Sequence, residues 1–204
     1  KSVLVDTLQA YFEGRKELFE GLKIMDLETE WTKHPVIRLD MSRAGSSAHE
    51  LNAYLNQAFK EYEQKYSIEA SPSDSLTNRF DAIIQSAYQQ TGQQVVVLVE
   101  GYDSPLLNSW NTPHHEECVS IYLNVFTILK ADDEYEEFVL ITGTTKFTKL
   151  SLFSGLNNLS NISFEPEYAA ICGITKEELQ NDFKPEIEKL ADYENWTFDE
   201  AVAQ

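Results

Sequence analysis

Three short stretches of this sequence hold residue types that could do chemistry together. The chain opens with Lys1 and Ser2. A lysine then a hydroxyl at the start of a helix is the pair that follows the glycines of a phosphate-binding loop. There the ammonium reaches the β/γ phosphates and the hydroxyl holds Mg2+. The second stretch is VVVLVEGYDSPLL, Val95 to Leu107, where five aliphatic residues run into Glu100, Gly101, Tyr102 and Asp103. An acid closing an apolar strand is the second half of such a site and also serves Mg2+. The third is ITGTTKF, Ile141 to Phe147, where Thr144 and Thr145 leave another apolar run and could position a water or a γ-phosphate. Each stretch has a plainer reading. Glu100 and Asp103 could simply flank a strand end, Tyr102 could pack, and Thr144, Thr145 and Lys146 could form an ordinary strand exit. By itself the Lys1-Ser2 pair is almost no evidence, because the glycines of such a loop are absent from residues 1–204.

These stretches work together only if the fold brings them to one place. The spacing predicts a helix from the first residue, with Val3, Leu4, Leu8, Tyr11 and Phe12 on one stripe. HPVIRLDMS, His34 to Ser42, reads as a short strand over Val36 to Leu39. Ser46 or Ser47 can cap a helix carrying Leu51, Leu55, Phe59 and Tyr62. A further helix stops at Gly92, the strand of Val95 to Val99 follows, and a helix is predicted from about Glu116 to Lys130. The third strand is read over Glu136 to Phe147. Strands alternating with helices of this length imply parallel pairing and right-handed crossovers, hence an α/β sandwich. In open parallel sheets, ligands bind beyond the carboxyl ends of the strands. Asp40 to Arg43, Glu100 to Asp103 and Thr142 to Lys146 would then share one rim.

From Glu165 onward the pattern changes to short helices. ITKEEL is a capping box, with Thr175 as cap and Glu178 three residues on, and Thr197 caps a last helix. The expected division is an α/β core over 1–163 and the beginning of a helical subdomain over 164–204. A helix already apolar at Lys1 and a final helix with no core to close against predict a longer native polypeptide at both ends. A strand before Lys1 is expected at the centre of the sheet; without it, the other three would leave a gap.

Composition narrows the function. The 204 residues hold 16 Lys+Arg against 34 Asp+Glu, a formal charge of −18. Direct gripping of nucleic acid or of an anionic membrane by this segment is disfavoured, since both need a basic footprint. Cys118 and Cys172 are far apart and in no metal spacing, which fits a reducing compartment. Adjacent His114 and His115 lack the spacing of a zinc helix. No stretch has a secretory-signal pattern and no apolar run approaches membrane-spanning length, so a cytoplasmic protein is expected.

In their order, KSVLVDTLQAYFEGRKELFEGL, HPVIRLDMS, GYDSPLL, ITGTTKF, FSGLNNLSNIS and YAAICGITKEEL resemble the prokaryotic AAA-ATPase-like family, abundant in Bacteroidetes and often followed by a PD-(D/E)XK-type nuclease domain. The resemblance runs nearly end to end. It implies a P-loop NTPase-like three-layer sandwich with a mostly parallel sheet, binding ATP and Mg2+. Lys1 and Ser2 would match the P-loop lysine and hydroxyl, with the strand and glycines upstream. Glu100 would fall where the family has its Mg2+-holding aspartate, and Gly101 where it has its catalytic glutamate. Asp103 matches a second family acid and would substitute only if the strand continued through it. Loss of a catalytic acid costs on the order of 10²–10⁴ in rate. The expectation is therefore nucleotide binding without appreciable turnover, by a module that drives or gates an attached effector such as a nuclease domain. In a protein that includes the full P-loop, Gly101→Glu would raise phosphate release. An oligomer is compatible with this reading. The alternative is a degenerate scaffold that hydrolyses nothing.

Overall fold

The computed structural model describes residues 1–69, 71, 74–144 and 158–203. The chain divides into two compact units, Lys1–Ser160 and Asn161–Gln204. The first contains helix α1 (Ser2–Phe12), a short α2 (Ile24–Leu27), strand β1 (Val36–Asp40), helices α3 (Ala48–Lys65) and α4 (Leu76–Thr91), and strand β2 (Val95–Glu100). After these come α5 (Ser104–Asn108), α6 (His115–Phe126), α7 (Ile128–Ala131) and strand β3 (Glu136–Thr142). The three strands form one parallel sheet in the order β1-β2-β3.

The alternation of side chains along a strand decides what covers each face. Ile37, Leu39, Val97 and Val99 point into the main core, with Leu51, Leu55 and Phe59 of α3, Phe80, Ile83 and Ile84 of α4, and Tyr122 and Phe126 of α6. Val36, Val96 and Leu98 point the other way, onto Val5, Leu8 and Phe12 of α1. Helices thus cover both faces, and β2 is wholly inside: Val95 to Val99 are each at 0% exposure. That is what an uninterrupted aliphatic run demands.

Three expectations change. The anticipated gap between the strands is absent, because β1 pairs with β2 and β2 with β3, so that β2, from within the chain, fills the middle. The α1 stripe is Val5, Leu8 and Phe12; Val3 is 76% exposed, and Tyr11 packs with Phe19 and Trp31 in a satellite cluster. β3 ends at Thr142 and its apolar residues are only half-buried, because it lies at an edge of the sheet, with one strand neighbour among the described residues. The other edge is capped at its middle. The Tyr62 hydroxyl accepts from the Arg38 N–H at 2.7 Å and donates to the Arg38 carbonyl at 3.1 Å, occupying both outward backbone groups of Arg38.

Local signals set the helix ends. Ser47 and Glu50 form a capping box, Ser75 caps α4, and Gly92 ends it in the left-handed region at φ +66°. The long helix expected to Lys130 is broken at Thr127 into α6 and α7, and starts at His115.

The second unit contains α8 (Lys176–Asp182), α9 (Lys184–Glu194) and α10 (Phe198–Val202) around Ile187, Ala191 and Ala201. Thr175 with Glu178, and Thr197 with Glu200, form the capping boxes that start α8 and α10. Among the described residues, no helix is long and apolar enough to cross a membrane.

Candidate functional site

Register assembles the rim. Asp40, Glu100 and Thr142 are direct partners across β1, β2 and β3, spaced by the ~4.8 Å of neighbouring strands. All three stand at the carboxyl ends. The even-numbered residues of β1 and β2 face α1, so Arg38 and Glu100 point toward that helix rather than into the main core.

The start of α1 closes over this row. Lys1 is its N-cap, with no side-chain cap and no acid in the first turn. The Lys1 ammonium donates to the Gly143 carbonyl at 2.5 Å, just past the end of β3. The Ser2 hydroxyl donates to Oε1 of Glu100. Oε2 of Glu100 accepts from the Arg38 guanidinium at 2.9 Å, and that guanidinium also bonds Asp6 at 2.5 Å and Gln9 at 3.1 Å. Asp40 is occupied locally: its Oδ1 accepts from the Ser42 N–H at 3.2 Å and from the Ser42 hydroxyl at 2.5 Å. An ammonium, a hydroxyl, a carboxylate and the positive end of a helix therefore converge at one rim.

The turn after β2 departs from a continued strand. Gly101 adopts φ +63°, and a Cβ there would sit 3.2 Å from the Ser42 N and 3.3 Å from the Ser104 Oγ. A chain turning there sends Asp103 inward, at 1% exposure. Its Oδ2 accepts the Thr144 N–H at 2.8 Å, while the Tyr102 N–H donates to the Thr142 carbonyl at 3.1 Å. The two rim turns are thus tied to each other. Gly143 is needed for that closeness, since a Cβ there would come within 2.5 Å of Asp103 Oδ1 and 2.6 Å of the Tyr102 ring. The condition for Asp103 to stand in for the missing acid is not met, because the strand ends at Glu100. Thr144 is exposed at the rim. Thr145, Lys146 and the stretch from Phe153 to Asn157 lie outside the described residues.

Residues 1–153 match the family model described as a predicted AAA-ATPase. The chain belongs to that family. It is also 34% identical over 193 residues to an uncharacterized protein in the vnfD 5' region of Azotobacter chroococcum mcd 1. The alignment covers 93% of this chain and 37% of that protein, so the chain spans little more than a third of the relative's length. No solved structure matches.

An AAA-ATPase-like unit calls for nucleotide and metal, and the donor set can be tested against both. Ser2 Oγ and Glu100 Oε1 already touch, and both are hard oxygen donors. Such a pair suits Mg2+, which is held by one or two carboxylates and completed by phosphates and water. Lys1, next to Ser2 in the chain, brings an ammonium to the same rim. Two residues that shape this AAA-ATPase-like rim were not singled out from sequence as site residues: Arg38 and Gly143. Arg38 had a legible signal, a lone cation in the apolar strand VIRLD, in step with Glu100 on the same face. Gly143 had none until β3 was placed beside Tyr102.

Proposed function

We propose that the first unit is an ATP- and Mg2+-binding module of the AAA-ATPase type, in which Lys1 faces phosphate, Ser2 and Glu100 hold Mg2+, and Thr144 or Thr145 lies near the γ-phosphate. The observation that carries this reading is the direct contact of the Ser2 hydroxyl with Glu100, beside Lys1, at the carboxyl ends of parallel strands. When bound, Mg2+ would screen phosphate charge; the chain's own groups position that charge and close the rim around it. Turnover is slow in this reading, because Gly101 supplies no carboxylate and Asp103 is turned inward onto Thr144. The module would act through an attached effector, with a nuclease-like domain outside residues 1–204 as the family resemblance suggests, in a cytoplasmic setting compatible with an oligomer.

The buried placement of Asp103 also favours a second reading, a scaffold that hydrolyses nothing. Calorimetric titration with Mg·ATP, followed by a phosphate-release assay, separates them. Binding that is lost in Glu100→Ala and Lys1→Ala, with little phosphate release, supports the module. No Mg·ATP binding supports the scaffold. Turnover at ordinary enzyme rates refutes the slow-turnover reading.

A further inference from the structure

The candidate metal carboxylate is not open to a cation from every side. Both of its oxygens are engaged, Oε1 by Ser2 and Oε2 by Arg38. The Arg38 and Glu100 side chains are only 26% and 14% exposed, so the pair is poorly screened by water. A guanidinium is permanently charged and has donors only. Nor can this one easily leave. Asp6 and Gln9 hold its other side, and its own backbone is held at both N–H and C=O by Tyr62. Arg38 therefore places a fixed positive charge against Oε2 of the same carboxylate whose Oε1, beside Ser2, a divalent cation would depend on.

We propose that Arg38 is a counter-charge built into the site: it makes the site reject a free divalent cation and admit one only with an anionic phosphate group. The inference rests on the nucleotide reading above. The physical reason is a balance of charge. Asp6 offsets the far side of the guanidinium, but the side that faces Glu100 Oε2 stands at close range to any free dication on that carboxylate. A phosphate-bearing ligand brings the negative charge that Arg38 opposes, and Arg38 then favours the loaded site instead of disfavouring it. Arg38 acts through Glu100 and is a positioning residue.

The test uses Mn2+ alone as the probe, followed by electron paramagnetic resonance, with Mg·ATP titrated separately by calorimetry. Arg38→Met keeps the packing of the stem and removes the charge. It should tighten Mn2+ binding by roughly tenfold, the scale of one partly buried charge contact. Arg38→Lys keeps a charge and should stay within a few-fold of the unmodified protein. The gain should vanish in Arg38→Met with Glu100→Gln, which separates this site from the many other acids of a −18 chain. Mn2+ affinity unchanged or weakened in a folded Arg38→Met protein overturns the proposal. Should Arg38→Met not fold, Asp6→Asn decides it. That change leaves Arg38 with Glu100 as its one carboxylate partner and should weaken Mn2+ binding; no change overturns the proposal. If the unmodified protein binds Mg·ATP but Arg38→Met gains no Mn2+ affinity, the counter-charge alone fails. If Mg·ATP does not bind at all, the nucleotide reading fails and this inference with it.

Discussion

Stability should fall as pH rises between about 4 and 8, because of a carboxyl cluster at the end of the sheet opposite the rim. Asp132, which follows α7, is 4% exposed. Its Oδ2 and the Oε1 of Glu136 have no hydrogen-bond partner among the described residues. Burial, then the charge of Asp81 and a hydrogen bond to it, push the Asp132 carboxyl up to about 7. Burial, then the charges of Asp132 and Asp133, push Glu136 up to about 8. In the unfolded chain both release their protons near pH 4. The folded state thus holds protons that the unfolded state has lost. The difference is nil below the unfolded values and grows until pH passes the folded ones. At about 1.4 kcal/mol per pH unit, Asp132 alone would cost ~4 kcal/mol by pH 8. The Asp132 charge is part of what raises Glu136, and Glu136 is partly exposed, so the two costs fall short of additive; a combined loss of ~4–6 kcal/mol is expected.

The assay is urea unfolding from pH 5 to pH 8.5. Asp132→Asn and Glu136→Gln should each gain stability at pH 8 and flatten the slope, and the two gains should fall short of additive. A wild-type midpoint that is level or rising over this window refutes the reasoning. On the acid side the sign reverses. Backbone hydrogen bonds hold Glu50, Glu178 and Glu200 below their ordinary values, from Ser46, Thr175 and Thr197 in turn. Their stabilising contribution is present above about pH 4.5 and is lost as pH falls. The maximum should therefore lie near pH 5.

Three further perturbations probe the frame around the rim. Tyr62→Phe strips the cap from both outward groups of Arg38 and should cost ~1–3 kcal/mol in urea unfolding; a loss under about 0.5 kcal/mol would mean water replaces the hydroxyl without cost. Gly143→Ala drives a methyl into Asp103 and Tyr102 and should cost ~1–3 kcal/mol, separating the rim turns and weakening Mg·ATP binding; an unchanged melt would show that the turns part easily. Gly101→Glu, the change that would restore a carboxylate, puts a side chain at φ +63° and should cost ~1–2 kcal/mol. Phosphate release that rises in spite of this, measured per folded molecule, would show that the turn can yield.

The sequence disclosed the frame more fully than the site, and the difference has a physical cause. Apolar periodicity reports burial, so the uninterrupted run Val95 to Val99 announced a buried strand, and helix starts were announced by a cap at Ser46 or Ser47, the capping box at Thr175 and the cap at Thr197. Site geometry depends on register and on turns, which periodicity does not encode. That Asp40, Glu100 and Thr142 stand in one row required the pairing of all three strands. The inward turn of Asp103 hangs on one left-handed glycine and on the close approach of Gly143, a contact across more than forty residues. The same logic gives Gly101 a structural task whatever the motif: its left-handed turn precedes Asp103, which accepts the Thr144 N–H and ties the second rim turn to the first. Glu100, longer than the aspartate of the family pattern, reaches Ser2 and Arg38 together. Its length lets one carboxylate meet both a hydroxyl and a guanidinium, and under the proposed reading guanidinium and metal would compete for it.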